Sequence, residues 1–346
     1  MKTNTLKAAA VVGLTALLVG SAAAQESKSK PVGYETITVP NGFSYAGLRL
    51  HEAPVASGEV ASVPGGATVT VADGVADALV DGTSYIFEVT SGDAVGAVVT
   101  VDSFDADADT ITLSDDLSDN FADADTFTIR PAATLATVFG ADNSAGIDAG
   151  SGGTAGADQI WVPNATGGFD KYYYDGFNTN SFTATWTDGA DGSAVTAADI
   201  AIIYTDGLII LGAGTDNNTF VVSGSVKLTG SSFALASGFN YISSVSPAGG
   251  TLASMFDPVA VSGLVAGNGG TNGADQVWVP AGGGFDKYYY DSFNTNTFGA
   301  TWTNSDNGDA VDATAVSLDD ASGLVILNPG ADKQTAGGVP EFYSTL

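Results

Sequence analysis

The sequence predicts an all-β protein built from two repeated β-sandwich-like modules, with a small β-barrel-like domain inserted in the first. Two observations carry most of that expectation. Residues 156–187, GADQIWVPNATGGFDKYYYDGFNTNSFTATWT, return as residues 273–303, GADQVWVPAGGGFDKYYYDSFNTNTFGATWT, so Trp161 corresponds to Trp278, Phe169 to Phe285 and Trp186 to Trp302. Composition is the other. Of 39 acidic residues only six are Glu, and Gly contributes 45 of 346 residues. Asp and Gly favour turns whereas Glu favours helix interiors, so short strands joined by tight turns are expected.

Taken in order, the chain begins with Lys2 and Lys7 ahead of an apolar run, Ala8 to Gly20, and the small residues Ala22, Ala23 and Ala24. This pattern predicts an export signal over residues 1–24 and a mature chain from Gln25. The run is too short to span a bilayer, and no later stretch approaches the roughly 20 apolar residues that a spanning helix needs, so no transmembrane segment is expected. No cysteine is present, which removes disulfides and any lipid-modified cysteine. The net charge is −29, and loss of the leader takes away two cations more. Clustered cations are what phosphate binding requires, so nucleic acid is not an expected partner and anionic membranes are disfavoured.

After a polar segment at Gln25 to Lys30, Tyr34 to Pro40 alternates as a strand and leads into Gly42-Phe-Ser-Tyr45, which matches Gly238-Phe-Asn-Tyr241. Beyond that match the two stretches differ. Pro247 and Thr251–Phe256 follow at once in the second, whereas Pro131 and Thr134–Phe139 arrive about 80 residues later in the first. We therefore expect the first module over residues 33–54 plus 131–230, an inserted β domain over residues 55–130, and the second module over residues 231–346. Within the insertion, strands are expected at Gly58–Val63, Ala67–Val71, Ser84–Val89, Ala97–Val101, Thr110–Leu113 and Thr126–Ile129, enough for a small barrel or sandwich.

In the modules, Gln159–Val162 ends at Pro163, Tyr172–Tyr174 is an aromatic strand and Thr183–Thr187 alternates around Trp186. Leu208–Leu211 and Leu324–Leu327 are continuous apolar runs suited to strands covered on both faces. Thr219–Val222 and Ser225–Leu228 close the first module. Ala194–Ile203 reads equally as a short helix capped by Thr196 or as a bulged strand.

Taken together, the export signal, the opening GYETITVPNGFSYAGLRL, the DKYYYD strand with its Trp strand, then DGLIILGAG, VVSGSV and GFNYISS resemble a family of uncharacterised secreted proteins found mainly in Verrucomicrobia and related bacteria. The resemblance spans the mature chain. It implies secretion and a repeated β module, and it brings no functional residue.

Three groups of residues bear on chemistry. Asp105, Asp107 and Asp109, followed by Asp116, have carboxylates at positions 1, 3, 5 and 12 of a loop; Thr110 replaces the turning Gly and no helices flank it, so an EF-hand is disfavoured. The segment reads as a hairpin turn with solvated carboxylates or as a weak calcium site. Tyr172, Tyr174 and Trp186, with Tyr288, Tyr290 and Trp302, form duplicated aromatic clusters that could stack on sugar rings or fill the module cores. Asp170–Lys171 and Asp286–Lys287 read as surface or cross-strand ion pairs. His51, the one histidine, has no serine-elbow pattern near it, and nothing in the spacing of the acids selects a hydrolytic pair.

The expectation is thus a secreted, extracellular or cell-surface protein with a structural or interaction role and no catalysis. It would associate with itself or other surface components by strand addition, the C-terminal Val339–Leu346 offering one such strand or packing on its own module. The alternative is a carbohydrate-binding protein with glycan partners at its duplicated aromatic faces.

Overall fold

The computed structural model describes residues 31–164, 166–214, 218–257 and 259–345. The export signal expected over residues 1–24 lies outside them. The protein is all-β, with several sheets and a closed six-stranded barrel.

The first strands are β1 (Val32–Val39), β2 (Gly42–Gly47) and β3 (Leu50–His51). A continuous run then closes into the barrel: β4 (Ala56–Gly65), β5 (Thr68–Val71), β6 (Tyr85–Val89), β7 (Val98–Asp105), β8 (Thr110–Leu113) and β9 (Thr126–Pro131), in the order β4-β5-β8-β7-β6-β9. Its interior is a separate core in which Phe87 stacks on Phe127 at 4.7 Å and meets Phe121 edge-on at 5.7 Å. The two ends of the barrel meet, since the Val55 N–H donates to the Ile129 carbonyl at 2.9 Å.

After the barrel come β10 (Ala133–Thr134), α1 (Leu135–Phe139), β11 (Gln159–Pro163), β12 (Phe169–Asp175), β13 (Thr185–Asp188), β14 (Ala201–Ile202), β15 (Gly207–Gly212) and β16 (Asn218–Val226). Then follow β17 (Ser231–Leu235), β18 (Gly238–Ser243), α2 (Leu252–Phe256), α3 (Val259–Ser262), β19 (Gln276–Ala281), β20 (Gly284–Asn294), β21 (Gly299–Asn304), β22 (Ala310–Val311), β23 (Gly323–Asn328) and β24 (Lys333–Gly337). The order β13-β12-β11-β15-β2 in one sheet corresponds to β21-β20-β19-β23-β18 in the other, where β22 adds an edge. Registers correspond as well: Ile160 lies opposite Ile210, and Val277 opposite Ile326.

Alternation explains the layering. In β11, Ile160 and Val162 point inward and Trp161 outward. They meet Leu208 and Ile210 of β15, Ala46 of β2, and Ile37, Val39 and Phe220 from the three-stranded sheet β1-β16-β3. This core continues without a break into the second half through Leu252, Phe256, Ile326 and Trp302. Where the two large sheets meet, backbone lies on backbone: a Cβ at Gly207 would sit 2.9 Å from the Ile242 nitrogen, and one at Gly323 would sit 2.7 Å from the Ala46 nitrogen.

Several local outcomes differ from the sequence expectation. Thr219–Val222 and Ser225–Leu228 are not two strands, because β16 runs unbroken through Val226. Ala194–Ile203 is a turn followed by β14, which pairs with β10. The short helices α1 and α2 begin at Thr134 and Thr251, whose hydroxyls accept from the Thr137 and Ser254 amides in reciprocal capping boxes. Of the two courses expected for the C-terminal segment, a strand or packing, the structure shows packing: Glu341–Thr345 is a short 3-10 helix that buries Tyr343, whose hydroxyl donates to the Ala248 carbonyl at 3.0 Å.

Candidate interaction face

The outward face of each large sheet carries rings at period two. From β2 and β18 come Phe43, Tyr45, Phe239 and Tyr241; from the β11–β12 and β19–β20 hairpins come Trp161, Phe169, Trp278 and Phe285. They form an unbroken run across both sheets. Phe43 meets Trp161 at 5.4 Å, Trp161 meets Phe169 at 6.2 Å, and Phe169 meets Tyr241 of the other sheet at 4.9 Å. Tyr241 stacks on Tyr45 at 6.1 Å, Tyr45 meets Phe285 at 4.8 Å, and Phe285 leads through Trp278 to Phe239 at 5.7 and 5.1 Å. Phe43 and Phe239, at the two ends, are 58% and 55% exposed. The remaining rings are half-buried.

The indoles are fixed in place. The Trp161 Nε1–H donates to Gln159 Oε1 at 3.3 Å, as Trp278 does to Gln276 at 3.2 Å. Cross-strand pairing sets Lys171 opposite Trp161 and Lys287 opposite Trp278, so each ammonium lies over its indole, 3.9 and 4.7 Å from the ring centroid. The ion pairs expected with Asp170 and Asp286 are not what these lysines make, because adjacent strand residues point to opposite faces. The other cations among the described residues are paired with carboxylates: Arg49 with Glu35, Arg130 and Lys227 with Glu88, and Lys333 with Asp275.

The six aromatic residues singled out in the sequence lie on the opposite, inward face. Tyr172, Trp186, Tyr288 and Trp302 are buried, and Tyr174 and Tyr290 are half-buried edge-on against Trp186 and Trp302, each at 5.8 Å. The Trp186 Nε1–H donates to the Gly140 carbonyl at 2.9 Å, and the Trp302 Nε1–H to Asp257 Oδ1 at 2.8 Å. Period-two parity is the signal that separates the sets: the Phe and Tyr of Gly-Phe-x-Tyr share a face, and so do Tyr172 and Tyr174 on the other side.

Asp105, Asp107 and Asp109 fall at the β7–β8 turn and Asp116 beyond the far end of β8. Asp105 Oδ1 accepts from the Ala108 amide at 3.1 Å, Asp109 Oδ1 from the Gly74 amide at 3.3 Å and Asp116 Oδ1 from the Ser118 amide at 2.9 Å. The Ser118 hydroxyl, together with that amide, holds the Asp116 carboxyl below its usual range. Among the described residues, no group of three or more His, Cys, Asp or Glu side chains is arranged to hold a metal ion.

Sequence reasoning also missed a buried polar cluster at the joint between barrel and body. Glu88 of β6 accepts from the Arg130 guanidinium at 2.9 Å and from the Lys227 ammonium. Beside them lies His51, 4% exposed, with its ring 4.1 Å from that of Tyr204 and neither imidazole nitrogen hydrogen-bonded. Burial, reinforced by Arg130 and Lys227, pushes the His51 pKa well below the usual imidazole value, so the ring is neutral. Burial raises the Glu88 carboxyl, but the two cations outweigh it and leave it below the ordinary value. At the seam between the large sheets, burial pushes the Asp206 carboxyl up to about 7.

No helix among the described residues is long and apolar enough to cross a membrane. Searches of protein-family models, curated proteins and solved structures found no match to this chain.

Proposed function

We propose that the chain is a non-catalytic structural or interaction protein of the cell surface or extracellular space, exported by its N-terminal signal and associating with itself and with other surface components. The observation that carries this reading is the aromatic run from Phe43 to Phe239. On a chain of net charge −29, it is an extended outward band of rings without a carboxylate among them, bordered by Lys171 and Lys287. Such a band favours contact, whereas the acidic remainder favours solvation. The correspondence of strand order between the two large sheets supports the reading of two copies of one module, with the barrel inserted in the first.

Light scattering and electron microscopy of the purified protein, with calcium and with chelator, test this. Ordered oligomers or sheets are expected; a monodisperse monomer under both conditions refutes self-association. Calcium dependence would assign a role to the Asp105 turn. A second reading, glycan binding, draws support from the half-exposed indoles held in place by Gln159 and Gln276. It predicts retention on glycan arrays that Trp161→Ala and Trp278→Ala both weaken.

A further inference from the structure

We infer that β1 is a self-pairing edge, which joins two copies of this chain antiparallel across a two-fold axis. The inference rests on the proposal of self-association and names one surface for it, distinct from the aromatic run.

Strand β1 is the outer member of β1-β16-β3, and its register with β16 runs unbroken from Val32↔Ser225 to Val39↔Asn218. The phase of the ladder follows from the hydrogen bond that the Val226 N–H donates to the Pro31 carbonyl at 3.0 Å. Antiparallel pairs alternate between bonded and non-bonded, so Gly33, Glu35, Ile37 and Val39 exchange bonds with β16. The N–H and C=O groups of Val32, Tyr34, Thr36 and Thr38 therefore point away from the sheet.

Edge strands are ordinarily protected by lysine, proline, a bulge or a covering segment. Residues Val32–Val39 contain no lysine, no proline and no bulge. Their one charge, Glu35, faces inward and is paired with Arg49. The exposed face of the β1–β16 ribbon carries Val32, Tyr34 and Val221, which are 76%, 80% and 59% exposed, with Thr36, Thr38, Thr219 and Ser223. It has no carboxylate, so two strongly acidic copies approach here with the least repulsion. The strand that precedes Gly-Phe-x-Tyr in the second half, β17, has its free edge covered: the Ser232 N–H donates to the Gly96 carbonyl of the barrel at 2.8 Å. Among the described residues, β1 has no such cover.

An antiparallel β1–β1 contact is self-complementary, as a two-fold interface requires. It joins β3-β16-β1 to the same sheet of the second copy. The test is sedimentation equilibrium of the wild-type protein beside Thr36→Pro, which removes an outward N–H without touching the β16 ladder, and Thr36→Glu, which sets like charges near the axis. Circular dichroism melts serve as the check on folding. We expect a wild-type dimer, a dissociation constant about tenfold higher or more in both variants, and slow amide exchange at Tyr34, Thr36 and Thr38 in the wild type alone. Variants that associate as tightly as the wild type overturn the β1 assignment and leave self-association standing. A wild type that stays monomeric at every concentration overturns both.

Discussion

Tyr45 and Tyr241, which hold matching positions on β2 and β18, stack on each other with their centroids 6.1 Å apart and their planes 10° from parallel. Each also meets the phenylalanine of the opposite sheet's hairpin, Phe285 for Tyr45 and Phe169 for Tyr241. The aromatic run is therefore part of the joint between the two halves as well as an outer surface. A double-mutant cycle with Tyr45→Ala and Tyr241→Ala, followed by urea unfolding, should return a coupling of about 0.5–1.5 kcal/mol. Strict additivity would show that the stack contributes only its buried area.

Glu88 is the single carboxylate between two buried cations. Glu88→Gln leaves Arg130 and Lys227 without a counter-charge in a buried site, and should cost about 3–5 kcal/mol. The triple replacement Glu88→Gln, Arg130→Met, Lys227→Met should be less costly than Glu88→Gln alone, because it removes the stranded charges. Chemical denaturation of both proteins decides the point.

His51 gives the protein a pH dependence of definite sign. The unfolded chain takes up a proton below about pH 6.5, whereas the folded chain holds the ring neutral, so stability falls as the pH drops through that value. The groups that face the ring are Arg130 and Lys227, which oppose its protonation, with Glu88 and Tyr204 beside them. In His51→Phe this part of the acid sensitivity should disappear from thermal melts recorded across the range. An unchanged profile would assign the sensitivity to carboxylates.

Asp206 works in the opposite direction. Its folded pKa of about 7 lies above the unfolded value, so the folded chain keeps a proton that the unfolded chain releases. Stability from this group is present at low pH, declines by on the order of 1 kcal/mol per pH unit as pH rises from about 4 to about 7, and stays lost above. Asp206→Asn should flatten that stretch of the curve and stabilise the protein at pH 8, as read from urea midpoints.

How far the sequence reveals this molecule depends on range. Strands such as β5, β6 and β8 are legible because alternation and turn residues are local, and the continuous run Leu208–Leu211 announces a strand covered on both sides. The face that each aromatic residue takes is legible only through strand parity. Trp161 sits one residue from Ile160, and that single step decides between surface and core. Its tie to Gln159 two residues away is short-range, but its stacking with Lys171 requires the hairpin register. The cluster of His51, Glu88, Arg130, Tyr204 and Lys227 has no sequence signature, since its members come from five separate segments that only the tertiary fold brings together.

The hydrogen bond between Val55 and Ile129 at the mouth of the barrel bears on how the chain reaches its fold. In the second half, Ser243 of β18 finds Gly323 of β23; in the first, Gly47 of β2 must wait for Gly207 of β15, twice as far along the chain. An open loop of doubled length costs only about 0.6 kcal/mol more to close, but long-range pairing is slow and leaves β1 and β2 without partners while synthesis continues. A barrel that has already folded brings Val55 and Ile129 together and shortens the effective tether to about that of the second half. The barrel then acts as a kinetic clasp: a destabilised barrel should slow assembly of the first large sheet and leave assembly of the second at its own rate.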